Sequence, residues 1–329
     1  MQYRAIHIII MSMITGAFII PTGIGASIGG FAGDASYWAR KFASKCKLIV
    51  NPNVVNAACF SGITDNMLYV EGYALDEFFR GKLNLIQSRN NTIGIIFDKA
   101  LPKPVLNVHI NTINAVKTVY GTNVCGYEIT DKGVGVDFFI DKSGISMGNI
   151  SNLATLKRAA EKLLKRGADA IAIVCRFPDE QGDDYANGIG VDPVGGVEAI
   201  ISHYISKEFN VPCAHAPAFD DLTISTDIVD SRCSAEYITP TFLPCILLGL
   251  SQAPRLSAET EGLKIDDIDF LVLPYNSIGC IPVLEMIKRN KPVYTVKENS
   301  TVLNVTPDNF LNKCISVDTY SELFNKLFK

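Results

Sequence analysis

Ten residues near the N-terminus carry the chain's most distinctive chemical pattern: Pro21, Thr22, Gly23, Ile24, Gly25, Ala26, Ser27, Ile28, Gly29 and Gly30. Glycine tolerates positive φ and lets the backbone approach a ligand closely. A helix starting beyond such a turn adds a positive dipole end, which favours an anion. The pattern is neither a phosphate-binding loop with its Lys nor a clean G-x-G-x-x-G. Thr22, Gly23, Gly25, Ser27, Gly29 and Gly30 are therefore candidate ligand-binding residues. Tight packing of a strand against a helix is the competing reading.

Further on, Asn51-Pro52-Asn53-Val54-Val55-Asn56 follows an apolar run, and Asn53 and Asn56 suit a site at the carboxyl end of a strand. Ordinary turn chemistry explains the same residues. Arg176 closes another apolar run, where its planar fork can grip a carboxylate or phosphate. The alternative for it is an ion pair with Asp179 or Asp192. Cys213 and His215 stand two residues apart and share a strand face, as nucleophile and base or as two metal ligands without further placed partners. Glu71 ends a strand and can serve as a base. Glu298 and Asn299, with Glu285 on the helix before them, can hold a sugar or ribose. Cys213, His215 and Glu71 are the catalytic candidates, Arg176, Glu298 and Asn299 join the ligand-binding set, and no metal set is assigned.

The elements that must position these residues alternate between strand and helix. Strands are expected at Ala17–Ile20, Leu48–Val50, Met67–Val70, Thr92–Phe97, Gly126–Thr130, Ala170–Val174, Val211–Ala214, Phe270–Leu273 and Val293–Val296. Helices are expected at Gly33–Lys45, Ala74–Phe79, Val105–Tyr120, from a Ser151 or Asn152 cap to Lys165, Val194–Phe209, Ile281–Arg289 and Asp318–Phe328. Fully apolar strands such as Ala170–Val174 belong in a parallel sheet covered on both faces. The expected fold is α/β, mainly parallel and doubly wound (Rossmann-like), with two lobes around a cleft. The expected division is 1–16 as an extension or first strand, 17–148 as an N-terminal lobe and 149–329 as a C-terminal lobe.

Composition narrows the function. With 48% hydrophobic and 19% charged residues, the chain can build a real core. A net charge of −4 without a basic run speaks against a nucleic-acid partner. Nine irregularly spaced cysteines, with no C-x-x-C, point to reduced thiols and a cytoplasmic location. Between Ala5 and Gly33 there is no charged residue, so a signal or anchor is the minority alternative to strand plus loop. A membrane partner is not expected, a homo-oligomer is left open, and the cofactor is unknown.

Several segments together resemble the uncharacterised bacterial and plastid family called domain of unknown function 3326. They are IPTGIGASIGGFAGDA (Ile20–Ala35), NPNVVNAA (Asn51–Ala58), LYVEGYALD (Leu68–Asp76), RGADAIAIVCRFPD (Arg166–Asp179), GVDPVGGVEAIISHYISKEFNVPCAHAPA (Gly190–Ala218), TFLPC (Thr241–Cys245) and KENSTVLNVTP (Lys297–Pro307). The resemblance implies one enzyme-like module and brings no reaction with it. The last third is also weakly similar to the C-terminal half of nucleotide-sugar glycosyltransferases. The expected function is an enzyme, a hydrolase or group transferase, acting on a small anionic metabolite. The alternatives are a nucleotide-sugar glycosyltransferase of lipid-A-disaccharide-synthase type and a non-catalytic metabolite-binding protein.

Overall fold

Neighbouring residues of the first strand enter different cores. Phe18 packs with Phe42, Leu48 and Val50, whereas Ala17 packs with Ile49, Leu68 and Leu271. Period-two alternation explains this, because successive side chains leave opposite faces of a strand. Each fully buried Phe or Leu contributes about 1.5–3 kcal/mol, so both faces must be covered.

A computed structural model describes residues 14–178, 185–310 and 313–329. In chain order it begins with β1 (Thr15–Phe18), α1 (Ser36–Ala43), β2 (Lys47–Val50), β3 (Met67–Tyr69) and α2 (Gly72–Phe79). Next come β4 (Ile93–Phe97), α3 (Lys103–Tyr120), β5 (Val124–Ile129) and a hairpin of β6 (Val136–Ile140) and β7 (Ser146–Ile150). Then follow α4 (Leu153–Lys165), β8 (Ala170–Arg176), α5 (Gly195–Phe209), β9 (Cys213–Ala218) and α6 (Leu243–Gln252). The chain closes with β10 (Phe270–Pro274), α7 (Ile281–Lys288), β11 (Val293–Val296), β12 (Ile315–Val317) and α8 (Tyr320–Leu327).

The fold is mixed α/β with two parallel sheets. The first has six strands in the order β12-β11-β10-β1-β2-β3, every pair parallel. The second has four, ordered β9-β8-β4-β5, also all parallel. Apolar residues of one face of each sheet meet in a common core, where Phe18 and Val272 join Phe97 and Val174. The opposite faces carry separate cores, one under α2 and α7 and one under α4 and α5. Strands from both 17–148 and 149–329 enter each sheet, so no boundary near 148 separates the sheets.

Most expected elements are present with ends shifted by a few residues. The first strand is the instructive case, spanning Thr15–Phe18 rather than Ala17–Ile20. Ile20 is apolar and buried, but its N–H and C=O are taken by the Asn51 side chain instead of a neighbouring strand. Asn152 does precede α4, yet its amide donates to Gly133 O and caps nothing. The hairpin β6–β7, helix α6 and strand β12 were not expected. Residues 1–13, where an extension or anchor was considered, and Asp179, a possible partner of Arg176, lie outside the described residues. Among the described residues, no helix is long and apolar enough to cross a membrane.

Candidate functional site

A pocket of about 760 Å³ lies beyond the carboxyl ends of β1 and β2 and beside β9. The glycine-rich turn forms one side of it, with Gly23, Gly25, Gly29 and Gly30 in the lining. Asn53 and Asn56 line it from the segment after β2, and His215 from β9. Asp192, Glu198 and Glu236 are among the other lining residues. Among the described lining residues there is no Lys or Arg.

Backbone geometry explains the glycines. Gly23, Gly25 and Gly29 have φ of 74°, 57° and 82°, a region that side-chain-bearing residues avoid. Gly30 is constrained by space, since a Cβ there would sit 2.0 Å from the Ala26 carbonyl oxygen. Two buried asparagines hold the turn. Asn51 accepts from Ile20 N at 3.0 Å and donates to Ile20 O at 2.7 Å. Asn299 accepts from Ile28 N at 3.0 Å and donates to Ile28 O at 2.7 Å and to Tyr320 Oη at 2.8 Å. Asn53 donates to Pro21 O, and the Thr22 hydroxyl donates to Asn53 Oδ1, both at 3.3 Å. The N–H groups of Gly23, Ile24 and Gly25 meet no acceptor among the described residues.

The pocket lining also holds an acid–base pair. His215 Nε2 is 3.7 Å from Glu198 Oε2. His215 Nδ1 is 2.9 Å from the Ser202 hydroxyl, which itself donates to Ala199 O. The hydroxyl proton is thus committed, Nδ1 carries the ring proton, and the Nε2 lone pair faces Glu198; this tautomer is assigned from the network. Burial lowers His215 to about 3, and His203 adds to the effect. Burial likewise pushes Glu198 well above the ordinary carboxyl range, reinforced by Asp192, Glu236 and Glu71. Although the two groups stand within ion-pair distance, both charged forms are disfavoured by burial. Burial thus favours a neutral imidazole beside a neutral carboxylic acid. Glu198 Oε1 is buried without a partner among the described residues.

More carboxyls surround this pair. Burial raises Glu236 to about 8, aided by the charge of Asp192 and opposed by a hydrogen bond from Tyr185. Asp192 is raised by burial too, against backbone N–H groups of Val194 and Gly195. Asp34, outside the lining, reaches about 6 for the same reason, opposed by the N–H of Gly29. The clustering of shifted Asp192, Glu198, His215 and Glu236 in one lining makes this pocket the candidate functional site.

The structure does not bring every expected residue here. Arg176 lies outside the pocket, its guanidinium forked onto Asp220 at 2.8 and 2.5 Å on a side chain that is 43% exposed. Cys213 does share a strand face with His215, but it packs among Ile171 and Ile173 and is fully buried. Burial pushes its thiol far up, the reverse of a nucleophile's requirement. Glu71 is not in the lining; it accepts from Tyr69 Oη at 2.8 Å, and Tyr69 accepts from Asn56 Nδ2 at 3.0 Å. Burial raises Glu71 to about 8. Ser27, Glu298 and Asn299 stand behind the turn: the Ser27 hydroxyl contacts Glu298 O, and Glu298 Oε1 accepts from Tyr320 N. Glu285 pairs with Arg289 on α7, away from the pocket. The lining stops at Ala32 in the turn, and α1 starts at Ser36, so its N-terminus is not part of the wall.

Asp192, Glu198, Ser202 and Glu236 were missed. A signal existed for two of them. Glu198, Ser202 and Ser206 recur every four residues and all are buried, a polar stripe on one face of a helix whose other buried positions are Gly195, Val197, Ile201 and Ile205.

Comparison with known proteins adds identity without a reaction. An uncharacterised lipoprotein of Synechococcus sp. is 41% identical over 303 residues, covering 89% of this chain and 84% of that protein. Its lipoprotein name overturns the cytoplasmic location expected from the cysteines; reduced, buried thiols say how the fold packs and do not report a compartment. No solved structure matches the chain. The model of the family described as "Protein of unknown function (DUF3326)" matches residues 15–327, nearly from end to end, and the chain belongs to that family.

Proposed function

We propose that this chain is an enzyme that moves protons during hydrolysis or group transfer on a polar small molecule bound in the pocket. The observation that carries the reading is the Glu198–His215 pair, desolvated and 3.7 Å apart in the pocket wall. Neutral His215 can take a proton from an attacking hydroxyl or water through Nε2. Neutral Glu198 can give one to the leaving group. General acid–base help of this kind is worth about 10²–10⁴-fold. The unpaired N–H groups of Gly23–Gly25 suit negative charge developing on a substrate oxygen during reaction.

A permanently anionic substrate fits less well than the sequence suggested. Arg176 is elsewhere, and the lining holds the carboxyls of Asp192, Glu198 and Glu236. Glycosyl transfer loses its supporting residues, because Glu285 and Glu298 do not line the pocket. We read the order β3-β2-β1-β10-β11-β12 as a Rossmann-like, doubly wound arrangement, and the two sheets as lobes with the pocket between them. The support is that residues after β1 and β2 and residues of β9 line one space.

A turnover screen tests the proposal. The full chain is incubated with a small-molecule extract, and consumption is followed by mass spectrometry. Some compound should be converted, with Glu198→Gln and His215→Asn each slower by about 100-fold or more. Unchanged conversion in both variants contradicts the reading. Binding without conversion would make the chain a metabolite-binding protein.

A further inference from the structure

We propose that the ligand of this pocket carries a primary amine, bound as an ammonium group between Glu198 and the Asp192–Glu236 carboxyls. The inference deepens the reading above and rests on the same pocket, though not on its catalysis.

Hydrogen-bond accounting leads to it. A buried polar atom without a partner costs about 1–3 kcal/mol, so a native pocket keeps one only where something else supplies the bond. Two such atoms belong to residues lining this pocket: Glu198 Oε1 and Asn56 Oδ1. Glu198 has a side chain only 9% exposed, so solvent does not serve it freely. The identity of the Asn56 atom follows from its neighbours. Tyr69 donates its proton to Glu71, so it must accept from the Asn56 amide nitrogen, and this leaves the carbonyl oxygen unpaired. Asn56 Oδ1 is an acceptor, and Glu198, neutral in the empty pocket, becomes a second one when a cation enters and favours its ionised form. The missing group is therefore a donor.

Charge says which donor. Asp192, Glu198 and Glu236 lie close enough to raise one another, and no described lining residue is Lys or Arg. Arg232, which acts on Asp34, is engaged by Asp230 and by Gly188 O and stacks on Phe31. A neutral hydroxyl would satisfy one acceptor and do nothing to favour ionised carboxyls, whereas a cation offsets the burial that holds them neutral. An ammonium supplies three donors and the opposite charge together. Among the described residues, no group of three His, Cys, Asp or Glu is arranged to hold a metal ion. Asn53 and Asn56, also in the lining, suit hydroxyl or amide groups elsewhere on the same molecule.

Calorimetry on the full chain with three matched probes tests this at neutral pH: glucosamine, glucose and glucuronate, with magnesium ion as a fourth arm. Glucosamine should bind about tenfold tighter than glucose, and glucuronate weakest. Glu198→Gln and Glu236→Gln should each bring glucosamine and glucose to parity. Glu236 is the more exposed position, so that variant serves if Glu198→Gln does not fold. Equal binding of glucose or glucuronate, a preference that survives both substitutions, a response to magnesium alone, or no binding of glucosamine at millimolar concentration overturns the inference. The two claims fail separately: amine binding without turnover removes only the catalysis, and turnover of a compound lacking an amine removes only this inference.

Discussion

Asn299 clasps the peptide of Ile28 from both sides, accepting its N–H at 3.0 Å and donating to its carbonyl at 2.7 Å. Asn51 does the same to Ile20, at 3.0 and 2.7 Å. One asparagine thus holds the entrance of the glycine-rich turn and the other its middle, each standing in for a strand neighbour. Replacing Asn299 by Ala strands both groups of Ile28 and the Tyr320 hydroxyl. The expected cost is roughly 3 kcal/mol, with a similar loss for Asn51→Ala. Denaturant unfolding measures it, and wild-type stability in both variants would show that the clasps hold nothing.

Space and torsion separate two glycine substitutions. Gly30→Ala places a Cβ 2.0 Å from the Ala26 carbonyl oxygen, a backbone atom that cannot swing away. A loss of about 2 kcal/mol or more should follow, together with weaker ligand binding. Gly190→Ala meets nothing within 4 Å and suffers only the strain of φ 92°, about 1 kcal/mol. Equal stability of the two variants would contradict the described turn.

The buried carboxyls set a pH dependence. Glu71 and Glu236 are raised from 4.5 to about 8, so the folded state holds protons the unfolded state has released. Their contribution is complete below about pH 4.5 and is lost as pH rises through 8. His215 is lowered from 6.5 to about 3, so above 6.5 it is neutral in both states and adds no slope. Between pH 6.5 and 8, stability should therefore fall, by up to about 1.4 kcal/mol per pH unit for each carboxyl. Glu71→Gln should flatten the decline. A melting temperature that rises across this window would be the contrary result.

Cys213 should be inert. It is fully buried and its thiol is pushed far up, whereas Cys59, Cys125 and Cys280 are partly exposed. Thiol labelling of the folded chain should mark those three first, and Cys213→Ala should leave ligand binding unchanged. Rapid labelling of Cys213 would restore it as a nucleophile.

The sequence carried the fold further than the site. Apolar runs such as Ile93–Phe97 and Ala170–Val174 announced buried parallel strands because every residue of such a strand faces a core. Gly23–Gly30 announced the turn because its glycines have backbone reasons to be glycine. Asn53 and Asn56, read from their place beyond a strand, and His215, read from the strand face it shares with Cys213, do line the pocket. Arg176 misled for the same reason: it ends β8, but Asp220, forty-four residues later, takes its guanidinium. Glu198, Asp192 and Glu236 come from a helix, a loop and a short turn that only tertiary packing assembles. Glu198 alone had a local sign, the buried polar stripe it shares with Ser202 and Ser206.

Nitrogen NMR of the His215 imidazole tests the central claim most directly. The account predicts a neutral ring from pH 8 down to about pH 5, with Nδ1 protonated, Nε2 bare and its resonance shifted by Glu198→Gln. An imidazolium titrating near its ordinary 6.5, or a ring indifferent to Glu198→Gln, would contradict a neutral acid–base pair in this pocket.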